Sequence, residues 1–254
     1  EDALKKFNIS WGSAMVVGPL MGGILIDELS VMAPFFFSML ISFFFGMLSI
    51  IVVREPRKPL DAEKDSRGKL KMNDEHDGSI VVALVTIFLF SSIVSILMSL
   101  FPSYARDLGI SASEIGVIVF TFGATRVVTF YQAPRIEARI KKTGMLLIGS
   151  LVLGFASLAT FYSGNTLSFL MCFLLFGFGT GISYAVSIAL VLKWRKSSTG
   201  YAAGVFESLI GTGYFLGPLI GGFLSKFASN LPYIYGFFLS LIVFLIQLWY
   251  RRRF

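Results

Sequence analysis

The chain has 254 residues, 55% of them apolar and 15% charged, with a mean hydropathy of +0.77 and a formal net charge of +7. That balance excludes an ordinary water-soluble domain, and the single Cys172 and single His76 exclude a disulfide framework and a histidine-rich metal site, so no cofactor is expected. The basic residues sit at the ends of apolar runs, where a lipid bilayer and membrane topology account for them better than nucleic acid does.

In chain order, eight stretches are long enough to cross a hydrocarbon core: 10–26, 32–53, 80–101, 115–133, 145–162, 167–192, 201–224 and 231–250. Their apolar residues run around the whole helical circumference instead of alternating at period two. The spacing therefore predicts an all-α membrane protein with eight transmembrane helices, not a strand barrel. Between the second and third spans, residues 54–79 form a polar loop with seven basic and seven acidic residues, a solvated linker by composition.

Lysine and arginine set the orientation. Lys5, Lys6, the linker, Arg135, Arg139, Lys141, Lys142, Lys193, Arg195, Lys196 and Arg251 to Arg253 fall on one side, while Arg106 and Lys226 fall on the other. The bias predicts that both ends of the chain are cytoplasmic, in a plasma membrane.

One phrase occurs twice. "GSAMVVGPLMGGIL" (12–25) and "GTGYFLGPLIGGFL" (211–224) agree at seven of fourteen positions, among them Gly18, Pro19, Gly22 and Gly23 with Gly217, Pro218, Gly221 and Gly222. The copies lie in the first and seventh spans, six helices apart, and an even period keeps the same direction through the membrane. Each copy is then the fifth helix of a six-helix unit. On that division residues 1–53 are the last two helices of a first unit, 54–79 the linker and 80–254 a complete second unit, with four helices of the same protein expected before Glu1. Ala14, Gly18 and Gly22, like Gly213, Gly217 and Gly221, recur every four residues and clear a strip for a neighbouring backbone. Pro19 and Pro218 each remove a helical hydrogen bond and permit a bend.

These features resemble the major facilitator superfamily of secondary transporters. "GPLMGG" resembles that family's antiporter motif, in which the glycine-proline helix packs against the other half. "PRIEARIKKTG" (134–144) resembles its basic loop signature, with Arg135, Arg139, Lys141 and Lys142 as the cytoplasmic gate loop, although Ala138 stands at the usual acidic position and Lys141 at a usual glycine. "LGISASEIG" (108–116) resembles the short outer loop that enters the second helix of a half.

Two charges lie within predicted spans, Arg126 and Glu207, each roughly 10–12 Å from the predicted cytoplasmic face by helical rise. A charge in hydrocarbon costs at least a few kcal/mol on insertion scales, so both are expected to face protein or a water-filled cavity. They read either as a structural ion pair or as pathway residues. The resemblance implies the second: Arg126 as an anchor for anionic groups or a gate charge, Glu207 as a proton-titrating acid. Gln132, Tyr184 and Tyr214 add polar tips, and Tyr131 reads as an interfacial anchor. "GFGTGIS" (177–183) reads as helix packing and not as a nucleotide loop, because no strand precedes it. The function implied is alternating-access transport of a small organic substrate, as proton-coupled efflux, with nutrient symport or facilitation and a non-transporting fragment as the alternatives. No clustered acids or Ser/His pair suggests an enzyme.

Overall fold

The computed structural model describes residues 16–52, 77–194 and 199–253, so the linker, Lys5, Lys6, Ala14, Arg195 and Lys196 lie outside the described residues. All regular structure among the described residues is helical: α1 (residues 16–28), α2 (Ala33–Val52), α3 (Asp77–Ser99), α4 (Phe101–Asp107), α5 (Ala112–Tyr162), α6 (Thr166–Trp194), α7 (Thr199–Ser225) and α8 (Leu231–Arg253). Six of these, α2, α3 and α5 to α8, are long and apolar enough to cross a membrane.

α5 holds two of the expected spans. Its 51 residues would extend about 76 Å if straight, more than twice a hydrocarbon core. The expected loop at 134–144 is instead helical on both sides of one non-helical residue, Lys141, with φ 60 and ψ 158. The arms on either side are antiparallel, as their contacts with α6 establish. A Cβ on Gly177 would meet Phe122 and Thr125 and one on Gly181 would meet Thr129, so α6 and the first arm advance together. Gly149 faces Gly179 and Ser183 while Leu153 faces Gly179, so the second arm runs the other way. The glycines of "GFGTGIS" thus seat α6 between the two arms of α5.

The core lies where α3, the α5 arms and α6 converge, around Phe90, Phe101, Phe122, Phe169, Phe173 and Phe176. Phe101 stacks on Phe169 at 5.1 Å and on Phe173 at 4.4 Å between ring centroids. The start of α5 is a capping box. Ser111 Oγ accepts from the Glu114 amide at 3.2 Å, and the Glu114 carboxylate accepts from the Ser111 amide at 3.0 Å. The same carboxylate accepts from the Thr166 hydroxyl at 2.8 Å, tying the first turns of α5 and α6.

α7 packs on α3 through its glycine strip. A Cβ on Gly213 would strike Ser91, one on Gly217 would come within 2.6 Å of the Ser92 carbonyl oxygen and closer to Ser95 Oγ, and one on Gly221 would meet Leu100 at 2.7 Å. Ser95 Oγ also reaches the Gly213 carbonyl at 3.3 Å, so absent side chains and added hydroxyls work together. Gln247 of α8 is fully buried and donates to Thr86 Oγ1 of α3 and Ser150 Oγ of α5, both at 2.8 Å. α2 differs from the rest: none of its residues is buried.

Two substitutions test this packing. Gly217→Val should lower stability by about 1–3 kcal/mol through overpacking against α3, whereas Gly222→Ala, with nothing within 4 Å of its Cβ position, should be close to neutral. Lys141→Gly should raise stability by roughly 1 kcal/mol, because the side chain is exposed and positive φ suits glycine. Unfolding midpoints in a fixed detergent measure all three, and a stabilising Gly217→Val or a destabilising Lys141→Gly would contradict the geometry.

Candidate functional site

Arg126 lies in the first arm of α5 and is only 3% exposed. Its guanidinium carbon stands 4.9 Å from the Phe90 ring centroid of α3, 5.3 Å from Phe130 of α5 and 5.4 Å from Tyr184 of α6. Planar, weakly hydrated guanidinium suits such a box of ring faces, and the attraction is strengthened by exclusion of water. Tyr184 holds the box together, with ring centroids 5.4 Å from Phe90, 5.6 Å from Phe130 and 5.6 Å from Phe206 of α7. Four helices therefore contribute to the surroundings of one cation.

Glu207 follows Phe206 directly, and its side chain is exposed. The Tyr184 and Tyr214 hydroxyls lie within electrostatic reach of both Arg126 and Glu207. Tyr214 itself is 38% exposed. The four residues Arg126, Tyr184, Glu207 and Tyr214 thus share one electrostatic neighbourhood. Gln132 is exposed on α5, and none of the described contacts joins it to this group.

The exposed side of α7 is unusual for a membrane helix. It presents Gly204, Glu207, Ser208, Gly211 and Thr212 in succession. Ser208 and Thr212 return their hydroxyls to Gly204 and Ser208 carbonyls at 2.7 and 2.8 Å, so the helix satisfies them itself, but the Glu207 carboxylate remains a polar group facing outward. On α8 the exposed face is apolar instead, with Phe238, Leu241, Ile242 and Leu245. The exposed face of α7 thus sets these polar groups beside the apolar Phe215, Leu219 and Phe223.

The basic loop is shared out among separate contacts. Arg135 lies 5.9 Å from the Tyr131 ring, Lys142 pairs with Glu137 at 3.6 Å, Arg139 is exposed, and Lys141 marks the chain reversal.

The first glycine-proline copy behaves differently from the second. Among the described residues, nothing lies within 4 Å of the Cβ positions of Gly18 and Gly22. The neighbour that α1 does have, the start of α5, meets the face carrying Pro19, Leu20, Gly23 and Asp27. A Cβ on Gly116 would come within 2.7 Å of the Pro19 carbonyl oxygen, and one on Gly23 would strike Ala112. Pro218 of α7 is half-buried, and Gly222 beside it faces open space.

Asp27 escaped the sequence reading. Its carboxylate accepts from the Ser113 amide at 2.6 Å and from the Ala112 amide at 3.3 Å. The Ser113 hydroxyl first, then these amides, hold its pKa below the ordinary carboxylate value. The Glu114 carboxyl is likewise held down, by the Ser111 amide and then the Thr166 and Ser111 hydroxyls. A signal for Asp27 existed: an acid in the last turn of a helix opposes that helix's own dipole, which suggests that it serves another helix.

The profile of the Major Facilitator Superfamily matches residues 82–253. The chain is 25% identical over 171 residues to the quinolone resistance protein NorA of Staphylococcus aureus, covering 66% of this chain and 44% of that protein. It is 24% identical over 177 residues to multidrug resistance protein 2 of Bacillus subtilis, covering 68% and 43%. The chain thus spans less than half the length of these curated relatives.

Arg126→Lys separates charge from planarity at the aromatic box. The substitution keeps the cation but loses the ring stacking, and should lower stability by roughly 1–2 kcal/mol. A detergent unfolding midpoint unchanged from wild type would show that the rings do not hold the guanidinium.

Proposed function

Because this chain belongs to the Major Facilitator Superfamily, we propose that it forms the later part of a secondary transporter that exports small organic molecules by alternating access in exchange for protons. The observation that carries this reading is the polar face of α7 in front of the caged Arg126. A lipid-facing helix has no use for Glu207 with Ser208 and Thr212 beside it, whereas a helix that borders a solute path does. The relatives named for quinolone and multidrug resistance support an organic substrate and the outward direction.

In this mechanism the buried Arg126 is a fixed positive charge and the exposed Glu207 a carboxylate that water and protons can reach. Tyr184 and Tyr214 stand between their fields. Protonation of Glu207 removes the negative charge that attracts a cationic substrate group and leaves Arg126 to repel it. Substrate and proton thereby compete for one electrostatic environment, which is what exchange requires. Both ends of the chain are cytoplasmic on this reading, which puts Lys141 at the inner face and Asp27 at the outer.

On this reading the first unit resembles the second, in which a helix packs on the glycine strip of the glycine-proline helix. On α7 the strip of Gly213, Gly217 and Gly221 is covered by α3; among the described residues nothing covers the corresponding Gly18 and Gly22 of α1. The repeat supports an upstream helix, equivalent to α3, as the neighbour of that strip.

In the intact protein, Glu207→Gln is expected to reduce proton-gradient-driven export of a fluorescent quinolone from inverted vesicles by at least about tenfold. Export that remains at the wild-type rate, with wild-type dependence on the gradient, would refute Glu207 as the coupling acid.

A further inference from the structure

Resting on the transporter reading above, we propose that Asp27 is the latch of the outer gate: its carboxylate clamps the last turn of α1 to the first turn of α5, and outward opening requires this clamp to part. The contact joins the two six-helix units, since α1 belongs to the first and α5 to the second. It is built for closeness. Gly23 and Gly116 bring the backbones together, so that the Ser113 hydroxyl reaches the Gly23 carbonyl at 3.5 Å while the Ser113 and Ala112 amides point at Asp27. Those amides belong to the first turn of α5, where the helix offers unsatisfied N–H groups and the positive end of its dipole. Ser111 and Glu114 satisfy the other donors of that turn, and Asp27 supplies the acceptor from across the unit boundary.

The latch is not a duplicated packing feature. In the second glycine-proline copy the position corresponding to Asp27 is Lys226. A lysine suits the C-terminal end of its own helix and cannot accept from the start of another. Asp27 therefore answers a demand made only in the first copy.

Its chemistry also separates it from proton coupling. The charged groups acting on Asp27 are Arg106 of α4, which favours ionisation, and Glu114 of α5, which is repelled by it. With its folded pKa lowered, the carboxylate contributes to closure above its ordinary value of 3.8 and loses that contribution only as pH falls through the lowered value. At neutral pH the latch is charged both docked and released. It opens by movement of the units and takes no part in proton exchange, which remains with Glu207.

Spin labels at Leu29 and Leu108, both exposed, report the separation of the two sides by double electron-electron resonance. The wild-type protein in nanodiscs should keep a short distance from alkaline pH down to the ordinary carboxylate range, and lose it only below. Asp27→Asn should shift the closed-to-open ratio by at least about tenfold at pH 7 and abolish the acid step. A short distance in Asp27→Asn equal to wild type, or an acid step that survives the substitution, would overturn the latch. The titration with Asp27 in place needs no substitution in the latch itself, only labelling at the two exposed positions, so poor folding of the Asp27 variant does not remove the test. A distance that lengthens at neutral pH in the labelled protein with Asp27 intact, with no step in acid, also overturns the latch. Quinolone export in the intact protein is read separately, and a gate that opens as described without any export would defeat the transporter reading while leaving the latch in place.

Discussion

Helices in hydrocarbon gain nothing from hiding apolar surface, because lipid tails are as apolar as leucine; close backbone approach and hydroxyl contacts have to hold them together. Each main contact in this protein follows that constraint. α7 meets α3 where Gly213 and Gly217 face Ser91, Ser92 and Ser95 and Gly221 faces Leu100. α6 enters between the arms of α5 at Gly177, Gly179 and Gly181, and α8 approaches α5 where Gly154 meets Ser240 and Gly236 meets Ser157. Gln247 adds a buried amide that joins α8, α3 and α5. Substituting any of these small residues pushes apart surfaces that have no hydrophobic drive to return.

The polar site is a consequence of this packing. Because its glycines are committed to α3, the remaining side of α7 is free to carry Glu207, Ser208 and Thr212. Phe206, next to Glu207, points the other way and reaches Tyr184, which in turn braces the rings around Arg126. A charge that would be prohibitive in lipid is thus held between aromatic faces on α3, α5 and α6. Close packing behind α7 fixes where a charge can stand in front of it.

Much of this was legible in the sequence and some was not, for identifiable reasons. Long apolar runs announce membrane helices directly, since nothing else accommodates such length. Arg126 and Glu207 stood out because charge is rare there. The rings that hold Arg126 did not: phenylalanine occurs 27 times, and no spacing rule distinguishes Phe90, Phe130 and Phe206 from exposed copies such as Phe35. The reversal at Lys141 was expected as a loop because Pro134, Gly144 and four basic residues suggest one. The helix continues through Pro134 all the same, and the whole turn is compressed into a single positive φ. Asp27 was hidden by its position next to a conspicuous motif, and only the partner's amides reveal what it does.

The two glycine-proline helices show how one repeated phrase serves different surroundings. α7 uses the strip of every fourth glycine to pack on α3. Among the described residues α1 has nothing on the corresponding Gly18 and Gly22, and it turns an adjacent face, that of Pro19, Gly23 and Asp27, toward the start of α5. A helix with glycines on two neighbouring faces can contact two backbones at once, one within its unit and one across the boundary. The first contact can stay fixed through a transport cycle, since nothing in rocking requires the helices of a unit to separate. In the proposed cycle the second breaks and reforms. It is accordingly made of few groups, a carboxylate and two amides over a pair of glycines, which hold well while aligned and release together once the backbones part.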